Sequence, residues 1–124
     1  MLGSSRRLRV HAHREAVDMR KSFHTLAALV KVAMGRDVLE GDLFLFVGRD
    51  RRRAKVLFFD GTGLCLFSKV LSRGRFPAPW ESEGTLVLTQ AELALFLEGA
   101  QVLGRISPPA VTPEDLRVHA DGFR

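Results

Sequence analysis

Three apolar runs follow one another closely in the middle of this chain: LFLFV at 43–47, AKVLFF at 54–59 and GLCLFSKVL at 63–71. Only GRDRRR and DGTG part them. Each run is too short for a typical helix. Each is rich in Phe, Val and Leu, which suit a pleated and buried surface. Connections this short can only turn the chain back on itself, so neighbouring runs must pair antiparallel. The sequence therefore predicts a three-stranded meander with hairpins at 48–55 and 60–63. Gly61 and Gly63 are expected to take the positive φ values that tight turns demand.

The flanks are read by period. RLRVHAH, residues 7–13, alternates Leu8, Val10 and Ala12 with polar residues, which predicts a short edge strand. His11 and His13 then read as exposed. Phe23, Leu26, Ala27, Val30, Ala33 and Met34 recur at three- and four-residue steps and share one face of a helix over 22–35. Leu29 and Val32 widen that face, Ser22 or Asp18 starts the helix, and Gly35 ends it. Pro77 and Pro79 exclude a central strand over RFPAPWESEG, and Trp80 is expected to fold back over the core edge. TLVL then predicts a short strand before a helix over 89–98. Thr89 and Glu92 have capping-box spacing there, Leu93, Phe96 and Leu97 face inward, and Gly99 stops the helix. Pro108 and Pro109 mark a break, and TPEDL beyond them predicts a brief terminal helix. The expected fold is a single α+β domain over 1–104. In it, an antiparallel sheet of about four or five strands packs with two main helices. Residues 105–124 form a loosely attached tail.

The chemistry of the chain narrows its function. Its one cysteine, Cys65, excludes an internal disulfide and reads as a buried, inert thiol. The N-terminal MLGSSRRLRV has charge but no apolar stretch of a secretory signal, and no run is long enough to span a membrane. A cytoplasmic location is expected. No phosphate loop, dinucleotide fingerprint, zinc-ligand pair or nucleophile elbow occurs, so neither a cofactor nor a catalytic metal is expected. Asp18, Asp60 and Glu92 are the acids that a metal-dependent nuclease would use. Each has a structural alternative: Asp18 as a cap or as the ion-pair partner of Arg20, Asp60 as a turn residue, Glu92 as a cap partner.

The basic residues remain. Residues 1–80 carry 16 Lys and Arg against 7 Asp and Glu, whereas residues 81–124 carry 3 against 7. Arg49, Arg51, Arg52, Arg53 and Lys55 crowd the first hairpin, and Arg73 and Arg75 follow the third strand after Lys69. Connections in a meander alternate between the two ends of the sheet, so both clusters should converge on one end, away from DGTG. There they suit a phosphate backbone. The alternative is that they keep an aggregation-prone sheet soluble.

DMRKSFHTLAALV, FLFVGRDRRRAKVLFFDGTGLCLFSK, GRFPAPW and LTQAELALFLEG, taken in that order, resemble the small accessory protein of the insertion sequence 66 transposon family, often called Orf2 or TnpB. The likeness covers residues 7 to about 99. The family pattern falls on Asp18, Met19, Arg20 and Phe23, on Lys55, Asp60, Gly63, Leu64 and Lys69, and on Gly74, Arg75 and Phe76. The chain departs from it at Ser22, Val38 and Val70 and in the tail after Gly99. The resemblance implies a non-catalytic role in DNA transposition beside a larger transposase, with DNA and that transposase as partners. Arg49, Arg51, Arg52, Arg53, Lys55, Arg73 and Arg75 are the expected phosphate contacts, followed by Arg20 and Lys69. Two other classes stay open. One is a pure protein-interaction subunit acting through the Phe-rich sheet or the acidic C-terminal part. The other is a small metal-dependent nuclease.

Overall fold

A computed structural model describes residues 7–83 and 86–99. Five strands form one sheet: β1 (Val10–Ala12), β2 (Leu43–Val47), β3 (Arg53–Phe59), β4 (Leu64–Val70) and β5 (Val87–Leu88). Their order across the sheet is β4-β3-β2-β1-β5. The meander is β2-β3-β4, with Phe44 opposite Leu57 and Arg53 opposite Val70. The α+β class stands, but the sheet is mixed. β1 runs parallel to β2, Val10 opposite Leu43, because α1 (Phe23–Met34) intervenes and carries the chain back to the starting end. β5 then pairs antiparallel with β1, Val10 opposite Leu88. β1 is thus an interior strand, not the edge strand its alternation predicted.

Alternation along β2 builds two cores. Phe44 and Phe46 join Leu57, Val17, Leu26, Val30 and Val38 on the α1 side. Leu45 and Val47 join Val10, Ala12, Ala54, Val56, Leu71, Phe76, Leu88, Leu93 and Phe96 on the other. The second core is closed by α2 (Gln90–Leu97) and by the irregular segment ending in a 3-10 turn at Pro79–Glu81. Phe76 and Phe96 stack there with ring centres 5.5 Å apart. Trp80 packs over that core as expected. α1 buries less than its wide apolar stripe predicted: Leu26 and Val30 are buried, but Phe23, Ala33 and Val32 are exposed, Val32 by 85%. Ala27, Leu29 and Met34 pack against the first core only in part.

Local chemistry sets the ends of the elements. The Ser22 backbone N–H donates to Thr25 Oγ1 at 2.9 Å at the start of α1, and Gly35 ends it at φ 65°. Thr89 and Glu92 form the reciprocal capping box at the start of α2, and Gly99 follows the helix at φ 92°. Gly61 takes φ 104°, whereas Gly63 is not among the positive-φ glycines; its N–H donates to Asp60 Oδ1 at 3.0 Å. The tail over 105–124 and the brief helix expected in TPEDL lie outside the described residues.

The histidines overturn their expected exposure. His11 and His13 are buried, lying against Phe44 and Phe46 with ring centres 5.2 and 5.7 Å apart. Burial of His11 is possible because Asp42, itself buried, lies 2.9 Å from its Nε2. Asp42 also accepts from the Arg9 backbone N–H at 3.4 Å, joining the entry of β1 to that of β2. Removing the carboxylate would orphan a buried ring nitrogen, at a cost of about 1–3 kcal/mol. Asp42→Ala should therefore destabilise by about that amount in urea denaturation, and adding His11→Phe should recover part of the loss. A double variant no more stable than Asp42→Ala would exclude the orphaned nitrogen as the cause.

Candidate nucleic-acid interface

The loop between β2 and β3, residues 48–52, leaves the sheet at the end where β4 finishes. The main chain joins the two basic segments there. Leu71 N–H donates to the Arg52 carbonyl at 2.8 Å, and Phe76 N–H donates to the Arg51 carbonyl. Side chains add to the junction: Arg51 Nε donates to the Phe76 carbonyl at 2.8 Å, and Arg52 Nη2 to the Ser72 carbonyl at 3.2 Å. Arg51 holds φ 62°, an unusual conformation for a residue with a Cβ, between those two anchors. Gly74 turns the second segment at φ 72°. The expected convergence of the clusters at one end of the sheet is what the fold produces.

The motif around Asp18 reaches the same end. Val17 N–H donates to the Val47 carbonyl at 3.0 Å. Met19 packs so closely on Gly48 that a Cβ there would lie 2.7 Å from Met19 Cγ. A side chain at 48 would therefore force Met19 to shift. Arg20 is exposed and forks onto Asp18, with Nη2 2.8 Å from Oδ2. That hydrogen-bonded guanidinium holds the Asp18 carboxyl far below the usual carboxylate range.

The nine cations singled out in the sequence occupy three kinds of position. Arg49, Arg53, Arg73 and Arg75 are exposed at the basic end. Arg51 and Arg52 stand beside them, but their guanidinium groups also brace the junction. Lys55, Lys69 and Arg20 are engaged elsewhere. Lys55 Nζ donates to the Lys21 carbonyl at 2.7 Å on the α1 face, and Lys69 Nζ to the Leu97 carbonyl at 2.6 Å at the end of α2. Two residues that sequence reasoning passed over also belong here. Lys21, beside the Arg20 motif, lies at the start of α1, and Arg14 reaches the Ser82 carbonyl at 3.2 Å. Lys21 adjoins Arg20 in the sequence, and Arg14 lies between β1 and Val17, whose N–H donates to the Val47 carbonyl at that end of the sheet.

The acids nominated for metal chemistry are placed apart. Glu92 caps α2, Asp18 holds Arg20, and Asp60 closes its own turn. Among the described residues no three His, Cys, Asp or Glu side chains are grouped to hold a metal ion. Asp60 Oδ1 accepts from Thr62 N–H and Thr62 Oγ1, both at 2.9 Å, and from Gly63 N–H. Those bonds, the Thr62 backbone first, lower its carboxyl to about 2. Cys65 is half-buried, more open than expected. Burial, and then the neighbouring Asp60, push its thiol up, away from the reactive thiolate. No helix among the described residues is long and apolar enough to cross a membrane.

The family model described as IS66 Orf2-like protein matches residues 8–105. The uncharacterized protein y4hO of Sinorhizobium fredii is 39% identical over 99 residues, 80% of this chain and 86% of its own length. The uncharacterized protein y4jC of the same organism is 34% identical over 99 residues, covering 80% and 85%. No solved structure matches the chain.

The Asp60 turn supplies a pH test. A folded-state value below the unfolded one, near 3.9, stabilises the fold in full above that value. The contribution fades as pH falls from about 4 towards about 2. Asp60→Asn should melt below wild type at pH 7, and the gap should narrow across that window. An unchanged gap between pH 5 and pH 2 would refute the assignment.

Proposed function

The chain belongs to the IS66 Orf2-like family of transposition-associated accessory proteins, and on that premise we propose that it is non-catalytic and holds DNA by its phosphate backbone. The observation that carries this reading is the junction of residues 48–53 with residues 71–76, which gathers Arg49, Arg53, Arg73 and Arg75 at one exposed end of the sheet. Guanidinium groups there displace condensed counterions whatever the base sequence, so this chain alone reads few bases. Arg51 and Arg52 contribute positive potential, and Lys55 and Lys69 lend longer-range charge, whereas Arg20 is offset by Asp18. The larger transposase of the element is the natural protein partner, within the cytoplasm.

One observation favours a protein contact as a second role. Both faces of the central strands are covered, but β4 is an edge strand whose faces are partly open, with Phe67 exposed by 45% and Val70 by 53%. If the transposase uses this edge, Phe67→Lys should abolish its co-purification in nuclease-treated extracts and leave DNA binding intact. Undiminished co-purification would clear the edge of that role.

Salt dependence tests the DNA reading. About four phosphate contacts on duplex DNA give a slope of log affinity against log salt near −3.6. Arg53→Ala, Arg73→Ala and Arg75→Ala combined should reduce its magnitude by about 2 to 3. This set spares Arg51 and Arg52, whose loss would loosen the loop itself. Circular dichroism should be unchanged, since exposed substitutions alter stability by about 0.5 kcal/mol or less. A folded triple variant with the wild-type slope would remove these arginines from the interface.

A further inference from the structure

Trp80 is the single tryptophan of the chain, which has no tyrosine. It follows Pro79 in the 3-10 turn and is only half-buried, packed on one side against the core that contains Phe76 and Phe96. It also lines a groove of about 490 Å3 with Glu15, Ala16, Arg49 and Arg51. Arg51 is fixed at that groove by its bond to the Phe76 carbonyl. Arg49 and Ala16 also line an adjoining cleft of about 260 Å3 with Val17 and Asp18, so the two hollows meet at these residues. The groove thus borders the basic end of the sheet.

An aromatic wall, two guanidinium groups and one carboxylate match the parts of a nucleotide. Any base stacks on an aromatic side chain, arginines take its phosphate, and a carboxylate accepts from a base N–H. A base paired within a duplex presents only its edge, because its faces are covered by neighbouring pairs. Away from a duplex end, only an unpaired base can lie against Trp80. A small inorganic anion would satisfy the arginines but would leave the aromatic wall unused. We infer that this groove takes an unpaired nucleotide, so the protein engages single-stranded or opened DNA in preference to intact duplex. The inference rests on the basic end being a nucleic-acid surface, and it adds the form of DNA that surface accepts.

Trp80 is its own reporter, since no other residue contributes appreciably to tryptophan emission. The full chain is titrated with a single-stranded oligothymidylate of about eight nucleotides, within the range of known single-strand sites, and with a longer mixed-sequence duplex that stays fully paired under the same conditions. Emission reads the groove, and anisotropy of end-labelled DNA reads binding. The single strand should quench Trp80, and the duplex should not. Trp80→Ala should weaken single-strand affinity by about 5- to 150-fold, the range expected for one stacked base, and leave duplex affinity within about twofold. Trp80→Phe, which keeps an aromatic ring, should retain most of the single-strand affinity. If Trp80→Ala does not fold, quenching of the wild-type protein and the Trp80→Phe affinity decide the matter. A single strand that binds without quenching, or a folded Trp80→Ala that loses both affinities equally, overturns the groove. Duplex binding can survive either result, so the basic-surface reading would then stand. Binding of neither DNA overturns both.

Discussion

β2 is buried on both faces, and the rest of the architecture follows from covering it. Phe44 and Phe46 are wholly buried on one side, Leu45 and Val47 on the other. A strand with two apolar faces cannot lie at an edge or under a single layer. It needs a neighbour on each side, which β3 and β1 supply, and a cover above and below. α1 is one cover; α2 and the Pro-rich segment before it are the other. The parallel pairing of β1 with β2 is the consequence of placing a helix between them.

That arrangement explains why so much charge stands at the ends of the most buried strands. The faces of the central strands have no room for ions, so charge can be carried only where the strands leave the sheet. Lys55 and Lys69 illustrate the limit. Both lie within strands near that end, and each ammonium turns to a carbonyl on its own face, Lys21 on the α1 side and Leu97 on the α2 side. At the end of α2 a cation also opposes the negative pole of the helix. These two lysines therefore help to dock the helices, while the arginines of the turns remain outward.

Much of this was legible in the sequence because it depends on local rules. The meander, the capping box at Thr89, the Gly35 stop and the convergence of the arginine clusters all follow from short connections and from turn or cap chemistry. What was not legible depends on partners distant in sequence. Nothing near His11 announces Asp42, so alternation alone placed the histidine in solvent. The wide stripe of α1 did not reveal that only Leu26 and Val30 would be fully buried, with Phe23, Val32 and Ala33 left exposed. β1 looked like an edge because a three-residue strand gives no sign that β5 will arrive on its far side. Within the candidate site, the exposed arginines were found as a group. The division between outward and bracing guanidinium groups required the positions of the Phe76, Leu71 and Ser72 carbonyls.

The junction of the two basic segments has an evolutionary consequence. Apart from the Arg51 and Arg52 side chains that brace it, it is held by main-chain groups, Leu71 to Arg52 and Phe76 to Arg51, and such bonds are indifferent to the side chains that the other residues carry. Positions 49, 53, 73 and 75 can therefore gain or lose charge while the loop keeps its shape. Position 51 is the exception, because its backbone occupies a region that few residues other than glycine, asparagine and aspartate tolerate. Affinity for a polyanion and stability of the fold are thus separately adjustable, and diverging copies can drift in one without forfeiting the other.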